Sequence, residues 1–85
     1  MKIFETRKFR QLRKKIRDDR ERQALKRAIL EIVQNPMVGK KLKGEFKEFR
    51  SFRYFSRGQE RRLIYKYENQ ALYLISFGPR EGTYR

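Results

Sequence analysis

The sequence predicts an α+β domain: an N-terminal strand, a helical hairpin, then an antiparallel three-strand meander with the helices packed on one face of the sheet. Three observations predict it. Apolar residues recur at helical spacing through residues 7–34. Beyond Gly44 the pattern changes to short alternating stretches rich in Phe, Tyr, Ile and Leu. The links between those stretches are too short for parallel crossovers, so neighbouring strands must be antiparallel. Helices first and strands afterwards leave one face of the sheet free.

At the start, Ile3 and Phe4 lie between Lys2 and Glu5, an alternation suited to an edge strand over residues 1–5. Thr6 is a suitable N-cap for the next segment, residues 7–17, where Phe9, Leu12 and Ile16 form a narrow apolar stripe. A membrane-surface helix shows a similar stripe, but three apolar residues bury too little area to hold a bilayer. Asp18 and Asp19 break the pattern and cap a second helix, with Glu21 in its first turn. Ala24, Leu25, Ala28, Ile29, Ile32 and Val33 carry its buried face, and Asn35-Pro36 ends it. A lysine-rich loop, residues 39–44, leads into strands expected over 46–56, 61–68 and 71–77, with turns at 57–60 and 69–70.

The chain has 85 residues, enough for a single domain spanning 1–85 with a modest core. Twenty-four Lys and Arg against 10 Asp and Glu give a net charge of +14. That excess calls for a polyanionic partner: RNA, DNA, an anionic membrane or an acidic protein segment. No cysteine is present, which excludes disulfides and thiol chemistry. No histidine is present either, so proton transfer would fall to Lys, Arg, Tyr or a carboxylate. No apolar run is long enough to span a bilayer and no signal-peptide core is evident. A cytoplasmic location is expected, with no metal, no cofactor and no membrane partner.

On the central meander strand, Arg62, Ile64 and Lys66 share one side, and Leu63, Tyr65 and Tyr67 the other. On the strand before it, Arg50, Phe52 and Tyr54 alternate with Ser51, Arg53 and Phe55. Both faces are mixed, so alternation alone leaves open which arginines line the free one. A free face with basic and aromatic residues suits single-stranded nucleic acid, through charge and base stacking. The competing reading is that the aromatics fill the core and the arginines solubilise it.

Leu42-Lys43-Gly44, Arg62-Leu63-Ile64-Tyr65 and Ile75-Ser76-Phe77-Gly78-Pro79-Arg80-Glu81 follow one another in this order. The succession resembles the RelE/ParE superfamily of toxins from type II toxin–antitoxin systems, and the likeness covers essentially the whole chain. It implies an mRNA interferase that cuts mRNA on the ribosome by attack of the ribose 2′-hydroxyl on the adjacent phosphate, without a metal. It also implies a cognate antitoxin, and contact with operator DNA only through that antitoxin. By the same resemblance Arg62 and Arg80 would clamp the scissile phosphate, and Tyr84 would stack on a base or help move a proton. Arg50, Arg53, Arg57 and Lys43 are the RNA-binding candidates, the alignment of the first three being open between counting from Gly44 and counting back from Arg62. Arginine suits the clamp because its fork matches phosphate oxygens and keeps its charge. Glu48 and Glu81 are candidate bases, although carboxylates on a basic surface more often form ion pairs. Arg62 has a competing structural role of this kind, with Glu60 or Glu48. Three other functions stay open: a ParE-like toxin that acts on DNA gyrase, an inactive homologue, and a basic nucleic-acid-binding protein.

Overall fold

The computed structural model describes residues 1–79. Strand β1 (Lys2–Glu5) is followed by helices α1 (Arg7–Lys14) and α2 (Asp19–Gln34). Strands β2 (Lys40–Lys41), β3 (Arg50–Ser56), β4 (Gln59–Glu68) and β5 (Ala71–Pro79) complete the domain. They form one sheet in the order β1-β5-β4-β3-β2, antiparallel except where β1 runs parallel to β5. The α+β class, the edge position of β1 and the meander agree with the sequence expectation. None of the helices among the described residues is long and apolar enough to cross a membrane.

Local chemistry sets the boundaries. The Thr6 hydroxyl accepts from Phe9 N at 3.0 Å and donates to Ile75 O at 2.7 Å, so one side chain starts α1 and fastens it to β5. Helix α1 stops at Lys14, three residues short of the expected Arg17, because Asp18 must be extended (ψ 125°) to cap α2 through Arg20 N. Ile16, in the link, still reaches the core. The third strand begins at Arg50 and not at Phe46: Gly44 is left-handed (φ 68°) and opens a 3₁₀ turn over Gly44–Phe46. Two lysines of the expected loop pair with β3 as β2. The turn expected over 57–60 shrinks to Arg57-Gly58, both with positive φ, because Gln59 and Glu60 already pair with Ser56 and Phe55.

Both helices cover one face. Phe9 meets Phe77 edge to face at 5.0 Å, and Ala24, Leu25, Ala28 and Ile32 of α2 join Tyr54, Leu63, Tyr65, Leu72 and Leu74 in one core. Strand β5 carries a bulge: Ile64 pairs with Ser76 but Tyr65 with Leu74, leaving Ile75 extra. That extra residue lets Leu74 and Phe77, an odd number apart, both face the helices. Two ion pairs tie the β3–β4 hairpin to the start of α2: Arg57 to Asp18 at 2.7 Å and Arg61 to Glu21 at 3.2 Å. Arg20 N and the Arg57 charge together hold the Asp18 carboxyl below its usual range.

Tyr65 organises the approach to β2. Its buried hydroxyl donates to Pro36 O at 2.7 Å and accepts from Gly39 N at 2.9 Å. Arg50 completes the clasp by donating to Gly39 O at 2.9 Å. A Cβ on Gly39 would lie 2.7 Å from the Tyr65 ring, so only glycine lets the loop come this close. Tyr65→Phe leaves Gly39 N–H and Pro36 C=O without these partners. It should lower the urea-unfolding free energy by about 1–3 kcal/mol, and an unchanged value would show that water or the loop replaces both bonds.

Tyr54 behaves differently. Its buried hydroxyl has no hydrogen-bond partner among the described residues. Burial pushes the phenol up to about 12, with Arg61 opposing the rise and Glu21 adding to it. Unfolded tyrosine ionises near about 10, so above that pH the unfolded chain releases a proton that the folded chain keeps. This contribution to stability is therefore intact below about pH 10 and is lost as pH rises through about 12. Tyr54→Phe should flatten that alkaline decline in urea titrations, and parallel pH profiles for parent and variant would contradict the assignment.

Candidate functional site

The strand ladders decide which basic residues face away from the helices. Arg53 of β3 stands directly opposite Arg62 of β4, while Ser51 pairs with Ile64 on one side and Lys40 of β2 on the other. All of these lie on the helix-free face. Lys40, Ser51, Arg53 and Arg62, with Val38, line a shallow concavity of about 460 Å³ there. The clasp between Tyr65 and residues 36–39 immediately precedes Lys40 and holds it in this row.

Two like charges placed directly across a ladder repel. Glu60, on the same face, partly offsets this: its carboxylate lies 3.7 Å from Arg53 and 3.6 Å from Arg62. Both separations exceed those of strong charge-assisted hydrogen bonds, about 2.7–2.9 Å. One carboxylate against two guanidiniums and an ammonium leaves the concavity positive. The arginines differ in exposure: the Arg62 side chain is 24% exposed, that of Arg53 64%. Arg62 Nε is buried without a hydrogen-bond partner among the described residues. A half-desolvated guanidinium beside a solvated one suits a tetrahedral oxyanion, which can take forked N–H donors from both.

The other predicted residues are placed elsewhere. Arg50 pairs with Tyr65 and Lys41 on the helix side of the sheet, and its guanidinium is engaged by the carbonyls of Gly39 and Met37. Arg57 occupies the left-handed first position of the hairpin turn, paired with Asp18. Lys43 is exposed and precedes the 3₁₀ turn, outside the lining of the concavity. Arg80 and Tyr84 lie outside the described residues. Lys40 and Ser51 were not singled out from the sequence. Ser51 had a readable signal, since it alternates in phase with Arg53, but Lys40 joins the site only through a two-residue strand that carries no pattern of its own. Among the described residues no group of three or more carboxylates converges as a metal site.

A family model described as the ParE-like toxin of type II bacterial toxin–antitoxin systems matches residues 3–85. No curated protein matches the chain in sequence. Among solved structures, a chain from the crystal structure of the intact E. coli RelBE toxin–antitoxin complex superposes with a TM-score of 0.74. The two are 17% identical, and the match covers 94% of this chain and 96% of that one. At this identity the likeness speaks to fold, and it agrees with a helical hairpin laid on one face of a mixed sheet. With the family model matching from the first strand to the last residue, the chain belongs to the ParE-like toxins of type II toxin–antitoxin systems, within the RelE/ParE superfamily.

Proposed function

We propose that the protein is a ribosome-dependent mRNA endoribonuclease, held inactive by a cognate antitoxin. The observation that carries this reading is the Arg53–Arg62 pair, set directly opposite one another on the helix-free face with Lys40 one strand away. Cleavage has the ribose O2′ attack the adjacent phosphorus while the P–O5′ bond breaks, leaving a 2′,3′-cyclic phosphate and a 5′-hydroxyl. One proton leaves O2′ and one reaches O5′. The phosphorane between them gathers negative charge, and fixed cations at that point lower the barrier. Arg62 and Arg53 supply those cations, and Arg80 joins them by its family resemblance. Arginine keeps its proton at any relevant pH, so proton exchange falls to another group. Among the described residues Lys40 is the only amine lining the concavity, and Tyr84 or a group of the ribosome are the alternatives. An antitoxin segment rich in acids would suit the +14 chain and could cover the arginine row, folding as it binds.

The family description, a ParE-like toxin, favours a second reading in which the chain poisons DNA gyrase by protein contact. Primer extension on a defined mRNA, translated in a purified system, separates the two. The proposal expects codon-phased cuts that require ribosomes and fall by about 100-fold or more in Arg62→Ala. Growth arrest on expression without any cut would favour gyrase or another protein target. Cuts of undiminished strength in the variant would remove Arg62 from the phosphate clamp.

A further inference from the structure

We infer that a second row on the same face, Lys66–Tyr73–Phe4, is a nucleobase-stacking platform for single-stranded RNA, separate from the arginine row. The inference rests on the RNA reading above and adds a subsite to it. Lys66 pairs with Tyr73 across β4 and β5, and Tyr73 pairs with Phe4 across β5 and β1. The Phe4 and Tyr73 rings are stacked, with centroids 5.2 Å apart and planes at 15°. Lys66 Nζ lies 5.9 Å from the Tyr73 centroid, near the outer limit for a cation over a ring. It also lies 3.3 Å from the exposed Glu68 carboxylate, with which an RNA phosphate would compete for it. The row thus runs from a cation through two parallel rings and ends at Phe4, 46% exposed on the edge strand of the sheet.

An exposed phenylalanine on an edge strand is a liability for a soluble domain, since such edges usually carry charge or proline. Here the ring contributes nothing to the buried core, which lies on the opposite face. Its stacking on Tyr73 holds it in one orientation, so a base meeting its free side would find a surface that needs little further ordering. Lys2, two residues earlier and on the same side of β1, places a second ammonium beside the row. Cations flanking a flat aromatic surface are what sequence-tolerant single-strand binders use: the charges follow the backbone and the rings take the bases. Arg62 and Lys66 share a face of β4 four residues apart, roughly 13 Å along the strand. RNA gripped at the arginine row and running along β4 therefore reaches the aromatic row within a few nucleotides.

The test is equilibrium binding of the full chain to a single-stranded oligoribonucleotide of about eight nucleotides. An oligomer of the same length and charge, abasic in the half expected to reach the aromatic row, serves as the comparison. Parent protein should prefer the complete RNA. Phe4→Ala should erase most of that preference, a loss of about tenfold, with affinity for the abasic oligomer and the salt slope unchanged. Phe4→Trp should restore the preference, which a merely structural role for Phe4 would not require. Thermal melts of both variants establish that they fold. An unchanged base preference in folded Phe4→Ala, with Arg62→Ala still weakening binding, overturns the platform and leaves the RNA reading standing. Failure of the parent to bind either oligomer overturns both. Unchanged RNA binding together with weakened binding of a protein partner would reassign the stack to a protein contact.

Discussion

The middle strand serves two purposes at once, and its register is the constraint on which the rest of the molecule depends. Leu63 and Tyr65 of β4 are fully buried beneath the helices, while Arg62 and Lys66 project from the other side. Side chains alternate along a strand, so a slip of one residue would send arginine into the core and leucine into the candidate site. The chain prevents that slip with short, defined turns at both ends of β4. Arg57-Gly58 and Asn69-Gln70 all take positive φ, the geometry of two-residue hairpin turns. Core packing and placement of the arginine row are therefore one problem with one solution.

The acidic residues show how a strongly basic chain folds without cancelling its own field. Several are used where they fix geometry. Glu5 bonds Arg13 and Arg10 and so seats α1 on β1, and the Arg13 bond holds its carboxyl below the usual range. Asp18 caps α2 and also receives Arg57, while Glu21 receives the half-buried Arg61. The more exposed of these pairs add little stability each, but all of them fasten the hairpin and the helices at particular points. On the helix-free face Glu60 is shared between two arginines at long range, which leaves that face positive.

Much of this was legible from residue order. The helix of residues 19–34 announced itself through Ala24, Leu25, Ala28, Ile29, Ile32 and Val33, because every position of the stripe is apolar and caps stand at both ends. Thr6 was readable as a cap, but its bond to Ile75 was not, since a contact across 69 residues leaves no local pattern. The bulge at Ile75 was hidden for another reason: it breaks the alternation on which strand reading relies. At the site, Arg62 was seen to share a side with Ile64 and Lys66, yet which side faces away from the helices, and the choice between Arg50 and Arg53, needed the ladder. Arg53 faces Arg62 across it, whereas Arg50, three positions away and so on the other side, is engaged by the loop that Tyr65 holds. Lys40 was illegible because its strand is two residues long and is defined by its partner alone.

The central claim is that function resides in the geometry of the helix-free face and not in net charge. The salt dependence of binding to a short single-stranded RNA tests this most directly, with Arg53→Ala and Arg62→Ala compared against Arg50→Ala. All three remove one positive charge. Loss of a true phosphate contact weakens binding and lowers the salt slope by about one. That result is expected for Arg53→Ala and Arg62→Ala, with Arg50→Ala close to the parent protein in both respects once its folding is verified. Equal losses in all three variants would contradict the account, because binding would then follow total charge and not the row of arginines that the β3–β4 register sets opposite one another.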